Sequence, residues 1–187
     1  MKKTRIIFLR HADVEKDPNL SAVLWKLSEK GKKQAEKIAN LAIMNTVDVI
    51  YVSEERKTTL TIKPLAKKLG KKIRQLSFFN EVKRGDKFLT KEEFETEKKR
   101  QLTNLNYHVF EGESAKEALT RFKQGVRQVL EKNIGKTILI VTHGTILNIY
   151  FADLLNVFDE LFERWQKTSF SAYGVVENGV VVKDIVF

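Results

Sequence analysis

The chain contains no cysteine, which excludes disulfides, thiolate nucleophiles and cysteine-based zinc sites. Only two prolines and nine glycines occur in 187 residues. That leaves little sequence for a flexible linker, no stretch is of low complexity, and a single domain over residues 1–187 is expected. No run approaches the roughly twenty apolar residues of a membrane span. The start, Met1-Lys2-Lys3, is basic, but the apolar segment after it is interrupted by Arg5 and ends at Arg10, too short for a secretory signal. A cytoplasmic protein without a membrane partner is therefore expected. Histidine is scarce as well, with three residues in the chain.

Cationic charge is what the chain has in excess: 34 Lys and Arg against 24 Asp and Glu, a net +10. The lysines fall mostly in doublets such as Lys32-Lys33, Lys67-Lys68, Lys71-Lys72 and Lys98-Lys99, on segments that read as solvated helix faces and turns. No nucleic-acid motif accompanies them, so no nucleic-acid partner is expected. Nothing in the sequence signals an oligomeric state.

Ile6 to Leu9 form a nearly continuous apolar run, as in a strand buried on both faces, and the run ends abruptly in Arg10-His11-Ala12-Asp13. The pattern returns at Thr137 to Val141, which releases Thr142-His143-Gly144 before a helical-looking Ile146 to Tyr150. Ligands of open α/β sheets bind beyond the carboxyl ends of the strands. Two such strands side by side would bring His11 and His143 face to face.

Between these runs, Val14 to Lys26 reads as an irregular loop with a turn at Asp17-Pro18-Asn19. Ser28 is an expected N-cap for a helix carrying Ala35, Ile38, Ala39 and Ala42 on its apolar face. Val47 to Val52 is an expected strand, and Ser53 an expected cap of a helix running to Gly70 that Pro64 should bend or break. Ile73 to Phe79 is a third expected strand, followed by Glu81 and a polar stretch with a helix near Lys91 to Arg100. Ser114-Ala115-Lys116-Glu117 fits a capping box opening a helix with Leu119, Phe122, Val126 and Val129 inside, ended by Gly135. Ser169 to Val176 and Val180 to Phe187 flank an Asn178-Gly179 hairpin turn. Strands alternating with helices predict an α/β protein with a mostly parallel sheet and an antiparallel hairpin added at the end.

Arg10-His11-Ala12 at the start and Thr142-His143-Gly144 near the end resemble the two signatures of the histidine phosphatase superfamily, the group that includes the cofactor-dependent phosphoglycerate mutases. Leu27-Ser28-Glu29-Lys30-Gly31 with Gln34-Ala35, Ser53 with Thr61 to Ala66, and Gly112-Glu113-Ser114 with Arg121 match in the family's order. The resemblance implies a phosphoglycerate mutase-like three-layer α/β/α sandwich with a mixed, mostly parallel sheet. It also implies a phosphatase-branch activity on a small phosphorylated substrate or a phosphoprotein, without metal or other cofactor.

Phosphoryl transfer needs positioned cations and a nucleophile in line with the leaving oxygen. Neutral imidazole can supply the nucleophile, and His11 is the expected one, passing through a phosphohistidine. The resemblance gives Arg10 and His143 as phosphate clamps and Glu81 as general acid, with Asp13 as the fallback acid. The family's third cation, an arginine, is replaced: its slot holds Lys57, or, with the helix shifted slightly, Arg56 just before it fills the slot as the phosphate-binding cation. Glu54 and Glu55 stand where the family has proline and an apolar residue, and are expected to point away from the phosphate. Glu113 and Ser114 read as structural, and His108 as a surface or packing residue.

His11, His143 and Asp13 could also bind zinc or iron, but a guanidinium beside a dication is repulsive, whereas beside a phosphate it offers a fork. Two other functions stay open: a phosphoglycerate mutase-type transfer, for which the chain is short, and a phosphate-binding pseudoenzyme.

Overall fold

The computed structural model describes residues 3–85 and 89–186. Met1 and Lys2 of the basic start, Phe187 of the expected last strand and 86–88 of the polar stretch lie outside the described residues.

The six strands are β1 (Arg5–Arg10), β2 (Val49–Val52), β3 (Ile73–Gln75), β4 (Thr137–Thr142), β5 (Tyr173–Glu177) and β6 (Val180–Lys183). They form one sheet in the order β3-β2-β4-β1-β5-β6. The first four strands in this order are parallel, and β5 and β6 are antiparallel additions. The two histidine-releasing strands are direct neighbours, with Arg10 opposite Thr142.

Side chains alternate across a strand, which explains the unbroken apolar runs. Ile6, Phe8, Ile138 and Ile140 enter one core, and Ile7, Leu9, Leu139 and Val141 the other. Helices α1 (Glu29–Ala39) and α2 (Arg56–Leu69) cover the second core. Helices α4 (Ala115–Glu131) and α5 (Gly144–Leu155) cover the first, with α6 (Leu161–Lys167) packed outside them and α3 (Lys91–Thr103) docked on α6. The result is the expected three-layer α/β/α sandwich. Ser28 caps α1 through the Gly31 N–H at 3.0 Å, and Ser114 makes its capping box.

Several expected elements differ. Ser53 does not cap α2: Glu55 occupies the N-cap position, and the Ser53 hydroxyl faces Thr58 and His143 instead. Pro64 neither breaks nor ends α2, whose neighbours Thr61, Ile62, Leu65 and Ala66 are buried; packing outweighs one missing hydrogen bond. The third strand stops at Gln75, and a 3-10 turn at Ser77–Phe79 follows, placing Phe79 in the core. Ala42 falls beyond α1 in a 3-10 turn, and α4 ends at Glu131, with Gly135 in a following turn at φ +73°. The hairpin strands are shorter than expected, but Asn178 and Gly179 make the turn with φ of +49° and +84°. Helix α6 was not foreseen from sequence.

Candidate active site

His11 sits one residue past β1, its backbone N–H extending the ladder to the Thr142 carbonyl at 2.9 Å. The loop it opens is braced from α1 and α2: Ala12 N–H donates to Thr61 Oγ1 at 2.9 Å and Asp13 N–H to Gln34 Oε1 at 2.8 Å. Gly31 is needed beneath it, since a Cβ there would lie 2.0 Å from the Asp13 carbonyl oxygen. The intermediate sequence matches thus include the scaffold of the first histidine.

The His11 Nδ1 lies 2.8 Å from the Ala12 carbonyl. A carbonyl only accepts, so Nδ1 carries the proton and Nε2 keeps its lone pair. Burial first, and then His143, Lys57 and Arg10 nearby, hold the imidazole well below its usual pKa; the Ala12 hydrogen bond opposes them. The ring is therefore neutral at neutral pH.

His143, the N-cap residue of α5, faces it with ring centroids 5.1 Å apart. Its Nε2 contacts Ser53 Oγ at 2.8 Å and Glu55 Oε1 at 3.2 Å, and its Nδ1 has no hydrogen-bond partner among the described residues. Burial, then Lys57, with Glu81 opposing, bring His143 down to about 3. Only 6% of His11 and 1% of His143 is exposed.

Arg10 is held from the segment after α6: Nη1 donates to the Thr168 carbonyl, and the guanidinium lies 4.2 Å above the Phe170 ring. Its Nε has no partner among the described residues. Gly144 makes room for it, since a Cβ would stand 2.9 Å from both Cζ and Nε. Burial lowers its pKa, with Glu81 and Asp13 opposing, but a guanidinium stays charged throughout the working range.

Glu81 is held by the start of α5. Its carboxylate accepts the N–H groups of Thr145 and Ile146, donors that a helix N-terminus leaves unpaired, and that of the adjacent Val82, each at 3.0 Å. Burial alone would raise its pKa, but His143, Lys98 and these N–H groups bring it down to about 2. The 3-10 turn before it is fixed by Arg121, which pairs with Glu113 at 2.7 Å and donates to the carbonyls of Ser77, Phe78 and Asn80. Glu113, Ser114 and Arg121 form structure around the site.

Lys57 and Arg56 separate cleanly. Lys57, 5% exposed, donates to the Ala22 carbonyl at 2.9 Å and to Glu55 Oε2, whereas Arg56 is exposed and lines a surface cleft with Lys26, Glu29 and Lys32. The expectation for the glutamates holds only in half. Glu54 is exposed against Asn80, but Glu55 is buried, with Lys57 on one oxygen and the Glu81 N–H, at 2.9 Å, and His143 on the other. A buried ammonium needs a counter-charge, and Glu55 is the carboxylate in reach. Asp13 is turned to Ser28 at the start of α1, and His108 is exposed. Among the described residues, no three or more His, Asp or Glu side chains cluster as a metal site would require.

A model of the histidine phosphatase superfamily (branch 1) matches residues 6–186. The chain belongs to that superfamily. Phosphoserine phosphatase 1 of Hydrogenobacter thermophilus is 27% identical over 170 residues, 86% of this chain and 80% of the relative. Among solved structures, a mycobacterial glucosyl-3-phosphoglycerate phosphatase superposes with a TM-score of 0.82 at 16% identity, over 99% of this chain and all of the other. A phosphoserine phosphatase variant of Entamoeba histolytica, in complex with phosphoserine, gives 0.79 at 19% identity, over 96% and 95%. These superpositions establish the superfamily's fold for the whole sheet and its helices.

In this superfamily member, the residues brought together are Arg10, His11, Lys57, Glu81 and His143, joined by Glu55 and, at greater reach, Lys98. Lys98 on α3 is 3% exposed, donates to Gln101 Oε1 at 2.8 Å, and is held at about 8 by burial, with Glu81 opposing. Its place was hidden in sequence by the charged run around it, which has no apolar period to mark an inner face.

Proposed function

We propose that residues 1–187 act as a single catalytic domain hydrolysing phosphomonoesters through a phosphohistidine on Nε2 of His11, without a metal. The observation that carries this reading is the hydrogen bond from His11 Nδ1 to the Ala12 carbonyl, which leaves Nε2 as the nucleophile beside Arg10 and His143. Phosphomonoester hydrolysis is the reaction in the names of the relatives above, acting on phosphoserine and glucosyl-3-phosphoglycerate. Small phosphorylated metabolites are accordingly the substrates to test first.

In the first step the Nε2 lone pair forms a P–N bond as the ester P–O bond breaks. Arg10 offers its fork to the equatorial oxygens, and Lys57 and His143 add positive charge. The departing alkoxide takes a proton from Glu81. In the empty site Glu81 is an anion, but an arriving dianion raises a neighbouring carboxylate's pKa, because like charges disfavour ionisation, and Glu81 takes up a proton from solvent as the substrate binds. Water then attacks phosphorus, the P–N bond breaks, and Glu81 recovers the proton.

The test is turnover of p-nitrophenyl phosphate, phosphoserine and a panel of sugar phosphates in EDTA. Hydrolysis that His11→Ala reduces by more than about a thousandfold supports the reading. Binding of inorganic phosphate without turnover of any panel member would overturn it in favour of a phosphate-binding protein.

A further inference from the structure

Glu55 stands where the superfamily pattern has an apolar residue, yet its carboxylate lies within the group of residues described above. We propose that Glu55 is a positioning residue for the phosphate clamp: it holds His143 as the Nε2–H tautomer in the empty site and stabilises the imidazolium that forms when a phosphate dianion binds. The proposal rests on the phosphate-site reading just given.

The direction of each hydrogen bond around His143 can be followed from its far end. Thr58 Oγ1 lies 2.8 Å from the Glu55 carbonyl, which only accepts, so the Thr58 hydroxyl donates there. Ser53 Oγ, 3.0 Å from Thr58 Oγ1, then donates to Thr58. With its one proton spent, Ser53 Oγ is an acceptor for the Glu55 N–H at 3.2 Å and for His143 Nε2 at 2.8 Å. The second neighbour of Nε2 is Glu55 Oε1 at 3.2 Å, an acceptor as well. The proton of neutral His143 therefore sits on Nε2, and Nδ1 presents a lone pair.

That lone pair cannot face a phosphate oxygen without repulsion. To join the clamp, Nδ1 must gain a proton, giving an imidazolium. The charged groups around the ring divide by element. Lys57 on α2, Arg10 at the end of β1 and Arg121 on α4 oppose a positive charge, whereas Glu81 ahead of α3 favours it. Glu55, beside Nε2, favours it too, and the neutral His11 ring lies opposite. In the empty site burial and the cations keep His143 neutral. The two negative charges of a bound phosphate reverse the balance, and Glu55 fixes the pH to which the imidazolium survives.

The experiment uses 15N-histidine-labelled protein, in which assignment needs only His108→Gln and His11→Ala controls. Nitrogen shifts of His143 are read across pH, with and without inorganic phosphate, alongside the pH profile of kcat for p-nitrophenyl phosphate, which reports ionisations in the substrate-bound enzyme. The expected result is a neutral Nε2–H ring in the free protein and a doubly protonated ring with phosphate bound. In Glu55→Gln, the alkaline limb and the pH at which the bound ring loses its proton both move down by about one unit or more, since one nearby charge is worth shifts of that size. Glu55→Asp restores part of the shift.

An Nδ1–H tautomer in the free wild-type protein would overturn the proposal, and that reading needs no variant to fold. So would a Glu55→Gln profile that matches wild type after uniform scaling, the mark of a merely structural role. Failure of the phosphatase reading looks different: phosphate would bind and protonate His143, but no ester would turn over.

Discussion

The hydrogen bond from His11 Nδ1 to the Ala12 carbonyl decides which ring nitrogen keeps its lone pair, and the residues around it are packed closely. Gly144 shows how little room remains: a Cβ there would press on the Arg10 guanidinium at 2.9 Å. Gly144→Ala should lower kcat/KM by at least about tenfold by displacing the fork, with far-UV circular dichroism unchanged; kinetics equal to wild type would show that Arg10 can shift without loss. At this scale the sequence was informative where chemistry ends an apolar run. Arg10, His11 and His143 were legible because polar residues at the carboxyl ends of buried strands have few other reasons to be there. Glu55 was not legible, since a carboxylate at a helix start is equally well explained by the dipole. Lys98 was hidden for the opposite reason, as one cation among many.

Between elements, close approach matters more than propensity. Gly125 in the middle of α4 lies over the 3-10 turn that leads to Glu81, and a Cβ would meet Phe78 Cβ at 2.4 Å. Alanine gains about 1 kcal/mol of helix propensity, but overpacking costs about 1–3 kcal/mol. Gly125→Ala is therefore expected to lower stability by about 1 kcal/mol in urea unfolding, whereas a gain would show that α4 can slide. The same turn explains why the third strand was overread. Ile73 to Phe79 carries strand-like residues, but Arg121 gathers the carbonyls of Ser77, Phe78 and Asn80 and bends the chain out of the ladder. Long-range contacts of this kind leave no local trace, and Ser53, drawn to Thr58 and His143 rather than to a cap, is a second case. Where capping is local, as at Ser28 and Ser114, the sequence was sufficient.

For the molecule as a whole, the buried site sets the pH dependence of stability. Both histidines are depressed in the folded state, His143 to about 3 from a usual 6.5. Their contribution is fully present above pH 6.5 and is lost as pH falls towards 3, because the unfolded chain takes up the protons that the folded one refuses. The thermal midpoint should fall between pH 7 and 4, and fall less steeply in a His11→Gln/His143→Gln double variant; parallel curves would refute this. Lys98 acts in the alkaline range. Its folded pKa of about 8 against 10.5 makes it a burden below pH 8 that vanishes above 10.5, on the order of a few kcal/mol. Lys98→Met should raise the midpoint at pH 7, with the difference closing near pH 10.5, and a lower midpoint at pH 7 would contradict the burial argument. The central claim, a phosphoryl group carried on His11, is tested most directly by rapid acid-free quenching of the protein during p-nitrophenyl phosphate turnover in EDTA, followed by intact mass and peptide mapping. The account predicts a phosphate adduct on the peptide containing His11, absent in His11→Ala; turnover with no adduct, or an adduct on another residue, would contradict it.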